Sequence, residues 1–153
     1  MTDFDLSTTC CFTGHRVLKR DFSDEKVSEV IDKLINNGYK TFLVGMAIGF
    51  DLKVFEILQT KKKFNIDVIA CVPCKNQDKL WTCKQKEQYK NAIEKADKVV
   101  FISEEYFDGC MQKRNMYMVD NSSIVVAYMY AEIGGTKHCV NYAKKKNKNV
   151  IFI

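Results

Sequence analysis

Two rhythms of apolar and polar residues alternate along this chain. Short runs at residues 8–13, 41–44, 67–72, 98–103, 123–128 and 150–153 are almost continuously apolar and rich in Val, Ile and Phe. Runs of that kind predict strands buried on both faces. Between them lie segments with apolar residues three and four apart, which predict helices over 23–37, 51–64, 81–94, 111–119 and 134–146. The first helix shows the logic most fully. Ser23 is a capping residue, Asp24 and Glu25 suit the positive end of the helix dipole, Val27, Val30, Ile31 and Leu34 form one stripe, and Gly38 ends it. Strands that alternate with helices in this way imply a parallel sheet covered on both sides, because right-handed crossovers connect such strands. The expected fold is α/β: a single Rossmann-like three-layer α/β/α sandwich with a mainly parallel sheet of five or six strands, one domain over residues 1–153.

In such a sheet the C-terminal ends of the strands form one rim, and ligands bind there where strand order reverses. The unusual segments all fall on that rim. Gly14-His15-Arg16 follows the first strand, Gly45 to Asp51 the second, Gln77 to Trp81 the third, and Gly134-Gly135-Thr136 opens the last helix. Helices that begin at glycine turns direct free backbone N–H groups at the rim, which favours an anion; Arg16 and Arg114 point the same way. Gly14-His15-Arg16 reads equally as a tight turn with a solvent-facing pair. Asp51 reads as a helix cap or as an acceptor for a ribose hydroxyl or base amine. Thr136 is expected to cap its helix. Neither a Walker loop nor a dinucleotide fingerprint is present, so no cofactor is expected.

Composition narrows the partners. No stretch is long and apolar enough for a membrane span, and Asp3 and Asp5 stand where a secretory signal would be basic, so a cytoplasmic protein without membrane contact is expected. Seven unevenly spaced cysteines read as reduced thiols. Cys71 and Cys74 have thioredoxin-like spacing, but no helix starts at the pair, and packing is the preferred role over redox chemistry or zinc. Two histidines leave no basis for a His-based metal site. The net charge of +5 comes largely from Lys61–Lys63 and the run Lys144, Lys145, Lys146, Lys148. Both clusters fall at helix ends, and without a helix-turn-helix, zinc-finger or aromatic-rich basic sheet pattern nucleic acid is not expected as a partner. Tyr106, Phe107, Tyr117 and Tyr130 lie outside strands and are candidates for a homo-oligomer face or a ligand cover.

Five motifs in order carry a resemblance: Phe12-Thr13-Gly14-His15-Arg16; Gly45-Met46-Ala47-x-Gly49-x-Asp51; Pro73 with Gln77 and Trp81; Arg114-Asn115 with Met118-Val119-Asp120; and Gly134-Gly135-Thr136 with Tyr142-Ala143-Lys144. Together they resemble the YpsA-like family of unknown function within the SLOG superfamily. The resemblance implies a Rossmann-like domain with a rim pocket for a nucleotide or nucleotide-derived small molecule. It adds Gly14, His15, Gly45, Gly49, Asn115, Gly134 and Gly135 to Arg16, Asp51, Arg114 and Thr136 as ligand-binding candidates. Related LOG enzymes hydrolyse the N-glycosidic bond of nucleoside monophosphates, and their Met-x-x-Arg-Lys-x-x-Met motif is similar to Met111 to Met118, with Asn115 in place of lysine. Their Gly-Gly-x-Gly-Thr-x-x-Glu element is only partly matched, since Cys139 occupies the glutamate position. Hydrolysis would then need Glu132 or Asp51 as the acid. The resemblance therefore implies binding or sensing of a nucleotide-derived ligand through a rim phosphate site, with nucleotide N-glycosidase and protein-interaction module as alternatives.

Overall fold

A computed structural model describes residues 3–153. The strands are β1 (Thr9–Gly14), β2 (Thr41–Val44), β3 (Asp67–Val72), β4 (Lys98–Phe101), β5 (Ile124–Tyr128) and β6 (Asn149–Phe152). The helices are α1 (Asp24–Asn36), α2 (Phe50–Gln59), α3 (Cys83–Lys95), α4 (Cys110–Asp120) and α5 (Gly134–Lys145). All the strand pairs are parallel, in the order β4-β3-β2-β1-β5-β6. The expected Rossmann-like sandwich is the observed one, with six strands. No helix among the described residues is long and apolar enough to cross a membrane.

The period-two geometry of a strand divides the core in two. Cys10, Phe12, Phe42, Val44, Val68, Ala70 and Val126 face one side and pack with α1, α2 and α3. Their neighbours Cys11, Leu43, Ile69, Cys71 and Val125 face the other and pack with Met118 and Val119 of α4 and Cys139 and Ala143 of α5. Six of the seven cysteines are buried as free thiols, Cys83 being exposed. Burial pushes the Cys71 thiol up to about 12, which suppresses the thiolate that redox or metal chemistry would use.

Element ends differ from the sequence expectation for local reasons. Ser23 Oγ accepts from Lys26 N–H as the pattern predicts. Helix α2 stops at Gln59 rather than 64: Thr60 and Lys61 N–H turn back three residues, a 3-10 turn spans Lys62–Phe64, and Asn65 closes it at φ +58°. The lysines there are engaged, Lys61 with Asp32 at 2.9 Å and Lys62 with Asp97 and the Ile66 carbonyl. Helix α3 starts two residues late because Thr82 and Gln85 form a reciprocal capping box. That cap leaves Trp81 outside the helix, at the rim.

The turn into α2 depends on Gly49. Its φ is +86°, and a Cβ there would lie 2.1 Å from the Arg16 carbonyl oxygen. Gly49→Ala is expected to lower stability by about 2 kcal/mol or more, since both backbone strain and a backbone clash must be relieved. Gly134→Ala meets nothing within 4 Å and is expected to cost about 1 kcal/mol. Urea unfolding of the two variants measures the difference; equal losses would contradict this account of the turn.

Candidate functional site

Strand order reverses between β1 and β5, and a cavity of about 290 Å³ lies at that point. It brings together Gly14, His15 and Arg16 after β1, Asp51 of α2, Arg114 and Asn115 of α4, and Gly134, Gly135 and Thr136 of α5. Gly45, Gly49 and Glu132 are not part of its wall. Glu132 is exposed and paired with Lys137 at 3.1 Å.

Arg114 organises the centre. Its guanidinium is buried, donating through Nε to Asn115 Oδ1 at 2.8 Å and through Nη1 to the Gly45 carbonyl. Asn115 Nδ2 then donates to the Gly135 carbonyl at 3.4 Å, which ties α4 to the start of α5. A Cβ at Gly45 would lie 2.9 Å from both Arg114 Nη1 and Asp51 Oδ2, so this glycine is needed for close approach. Asp51 itself is only 6% exposed. Its Oδ2 accepts from Ala47 N–H at 3.2 Å, while Oδ1 has no hydrogen-bond partner among the described residues. Burial raises the carboxyl to about 6, opposed by the positive charges of Arg114 and Arg16.

The other sequence candidates divide between structure and surface. His15 is a structural staple: its N–H donates to the Tyr128 carbonyl, its carbonyl accepts from Phe50 N–H, and Nε2 accepts from Ala131 N–H at 3.3 Å. The Phe50 N–H at the start of α2 is thus taken up, as are those of Leu52 with the Ala47 carbonyl and Lys53 with the Gly49 carbonyl, so α2 offers fewer free N–H groups than expected. Gly14 is fixed by packing, because a Cβ there would collide with the Phe50 ring. Thr136 is not a cap. It is the third residue of α5 and buried; Ile133 occupies the cap position and supplies no side-chain bond, so the α5 N-terminus is uncapped. Arg16 is exposed, makes a 3.7 Å contact from Nη2 to Met111 Sδ, and borders both this cavity and a second one.

The second cavity, about 660 Å³, opens beyond Arg16 toward the loops after β3 and β4. Trp81, Tyr106, Leu80, Lys79, Asn76 and Gln77 line it. Leu80 is 93% and Tyr106 59% exposed, and Trp81 packs edge-on against Tyr89 at 5.3 Å. Gln77 Nε2 donates to the Met46 carbonyl, joining this loop to β2. The sequence placed Gln77 to Trp81 on the rim and Tyr106 among the candidate ligand covers, but did not count them as ligand-binding residues; the apolar pair Leu80-Trp81 beside Lys79 in a loop was the signal for them. Tyr106, Phe107 and Tyr130 are exposed, whereas Tyr117 donates to Asp3.

The sequence profile of YpsA, the YspA SLOG family, matches residues 12–152. The chain belongs to this family. It is 37% identical over 138 residues to the uncharacterized SPbeta prophage-derived protein YoqJ of Bacillus subtilis, covering 79% of this chain and 80% of YoqJ. A UPF0398 protein of Halalkalibacterium halodurans is 27% identical over 120 residues, covering 75% of this chain and 64% of that one. Among solved structures, DNA processing protein A of Streptococcus pneumoniae superposes with a TM-score of 0.66 at 15% identity, over 94% of this chain and 49% of that one. DNA processing protein A of Helicobacter pylori, described by its single-stranded DNA binding mode, gives a TM-score of 0.71 at 20% identity, over 98% and 66%. At these identities the likeness is one of fold, and the YpsA-family chain spans about half to two thirds of those proteins.

Two expectations are corrected. A nucleotide-derived small molecule held through a rim phosphate site, and the exclusion of nucleic acid, both give way to the comparison with DNA processing protein A. The geometry gives a physical reason. Of the two guanidinium groups expected to neutralise the phosphate, Arg114 is already committed to Gly45 and Asn115 and Arg16 is exposed at the cavity's border, while the buried wall carries a carboxylate that repels an anion.

The Asp51 environment is testable by carboxyl-detected NMR titration. The midpoint is expected near 6, and Arg114→Met is expected to move it higher, because it removes an opposing positive charge. A midpoint at the ordinary carboxylate value near 4 would contradict the burial described here.

Proposed function

We propose that this chain is a macromolecular interaction module that holds single-stranded nucleic acid across the C-terminal rim of its sheet. The observation that supports this reading is the make-up of the larger cavity. A half-buried indole, an exposed phenol and two cations, Arg16 and Lys79, surround one open depression. Single-strand binders combine these groups: aromatic faces stack on bases without regard to sequence, while basic side chains follow the backbone. The Asn76 amide adds a donor and an acceptor to the same depression. The shared fold with a protein described by its single-stranded DNA binding mode supports the same direction.

A second reading, a protein partner on the same rim, draws on the exposed apolar residues there: Leu80, Val17 at 67% and Ile133 at 68%. Protein interfaces place apolar groups at their centre with a polar border.

Trp81 is the chain's only tryptophan and therefore a direct reporter. Titration with a single-stranded oligonucleotide is expected to quench its fluorescence. Trp81→Ala is expected to weaken binding, measured by anisotropy, by about 5- to 150-fold, the equivalent of about 1–3 kcal/mol. Arg16→Ala should weaken it and flatten the slope of log K against log salt by about 0.7. Lys145→Ala, on the far helix end, should leave both unchanged. Absence of binding at low salt, or equal effects of Arg16 and Lys145, would overturn the reading in favour of a protein partner or bulk charge.

A further inference from the structure

Strand binding along the larger cavity leaves the smaller one at the switch point unexplained. Its wall includes Asp51, 6% exposed, whose Oδ1 has no hydrogen-bond partner among the described residues. Buried polar atoms are nearly always paired, and leaving one unpaired costs about 1–3 kcal/mol. Oδ2 meets the Ala47 N–H and the nearby Arg114 charge offsets part of the cost of burial, but neither supplies a hydrogen bond to Oδ1. The uncapped start of α5 opens onto the same cavity through Gly134 and Gly135.

The chemistry of the atom limits what complements it. An ionised carboxylate oxygen accepts hydrogen bonds and donates none, so its partner is an N–H or O–H group and not a phosphate oxygen. Phe12, Met111 and Met118 supply apolar and thioether surface in the same wall, suited to the faces of a flat ring. Arg16, Ala47, Met111 and Arg114 line both cavities, which are therefore adjacent, so a strand crossing the larger one can turn one base inward past Arg16.

We propose that the switch-point cavity receives one base of the bound strand and that Asp51 Oδ1 accepts a hydrogen bond from that base's exocyclic amine. This rests on the single-stranded nucleic acid reading. Carboxylates read the cytosine N4 amine in this manner in duplex recognition. Cytosine and uracil have nearly one shape, but where cytosine presents N4–H2 uracil presents an oxygen, which would face Oδ1 acceptor to acceptor. The inference therefore assigns to this cavity a preference for amine-bearing bases, with Asp51 as the residue that sets it.

The test compares labelled 12-mers of deoxycytidine, deoxyuridine and the amine-free 2-pyrimidinone deoxynucleoside, by anisotropy at pH 7.5. Deoxycytidine is expected to bind about tenfold more tightly than either of the others, within the 1–3 kcal/mol span of one base contact. In Asp51→Asn the amide oxygen can keep the Ala47 N–H while the amide nitrogen faces the cavity as a donor, so preference should shift to deoxyuridine. Circular dichroism checks that this variant is folded; if it is not, the 2-pyrimidinone strand decides the matter on the unaltered protein. Equal binding of all three strands would overturn base reading by Asp51 while leaving single-strand binding intact. Failure of every strand to bind would remove both.

Discussion

One buried guanidinium holds the rim together. Arg114 reaches from α4 to the Gly45 carbonyl at the end of β2 and fixes Asn115, which in turn holds the start of α5. It also supplies the positive charge that opposes the desolvation of Asp51. A buried arginine is tolerated when it is hydrogen-bonded and its charge is balanced nearby; here Nε and Nη1 have partners and Asp51 lies beside it. Gly45 has to be glycine for the two side chains to pass it, and Gly49 has to be glycine for the next turn to clear Arg16. The glycines of the Gly45–Asp51 motif thus serve the packing that creates the cavity, and need not touch what enters it.

This arrangement separates two properties that a list of motif residues would merge. Arg114 and His15 position the site, and their polar atoms are largely occupied by the protein. Arg16, Lys79, Trp81 and Tyr106 are the groups presented outward. At the switch point the uncapped start of α5 presents backbone donors, but Arg114 is committed, Arg16 is peripheral and a carboxylate sits inside. On the proposed reading, an extended strand would use the outward groups instead, spreading its charge and its bases along the rim.

Much of the fold was legible because the periodicities are strong. Continuous apolar runs gave the strands within a residue or two, and the alternation of Cys10 with Cys11, or Phe42 with Leu43, anticipated the two-sided core. Helix ends were less legible where side-chain bonds decided them: the Thr82–Gln85 box moved the α3 start past Trp81, and Thr60 with Asn65 shortened α2. That several candidate residues gather at the rim followed from topology. Individual roles did not, because sequence shows that Arg114 or His15 is polar but not that Arg114 meets the Gly45 carbonyl or His15 Nε2 meets the Ala131 N–H, about seventy or more residues away. Nor does net charge reveal that Lys61 and Lys62 are paired while Arg16 is outward.

The claim that the C-terminal rim is the interaction surface is tested most directly by mapping backbone amide shifts in the presence of a single-stranded oligonucleotide. The account predicts perturbations in the loops that follow β1, β3 and β4 and at the first turn of α5, with Gly38, residues 61–65 and residues 144–148 unmoved. Perturbations concentrated instead on the lysine runs at 61–63 and 144–148 would show that bulk positive charge, at the opposite edge of the sheet, carries the interaction, and would contradict the account.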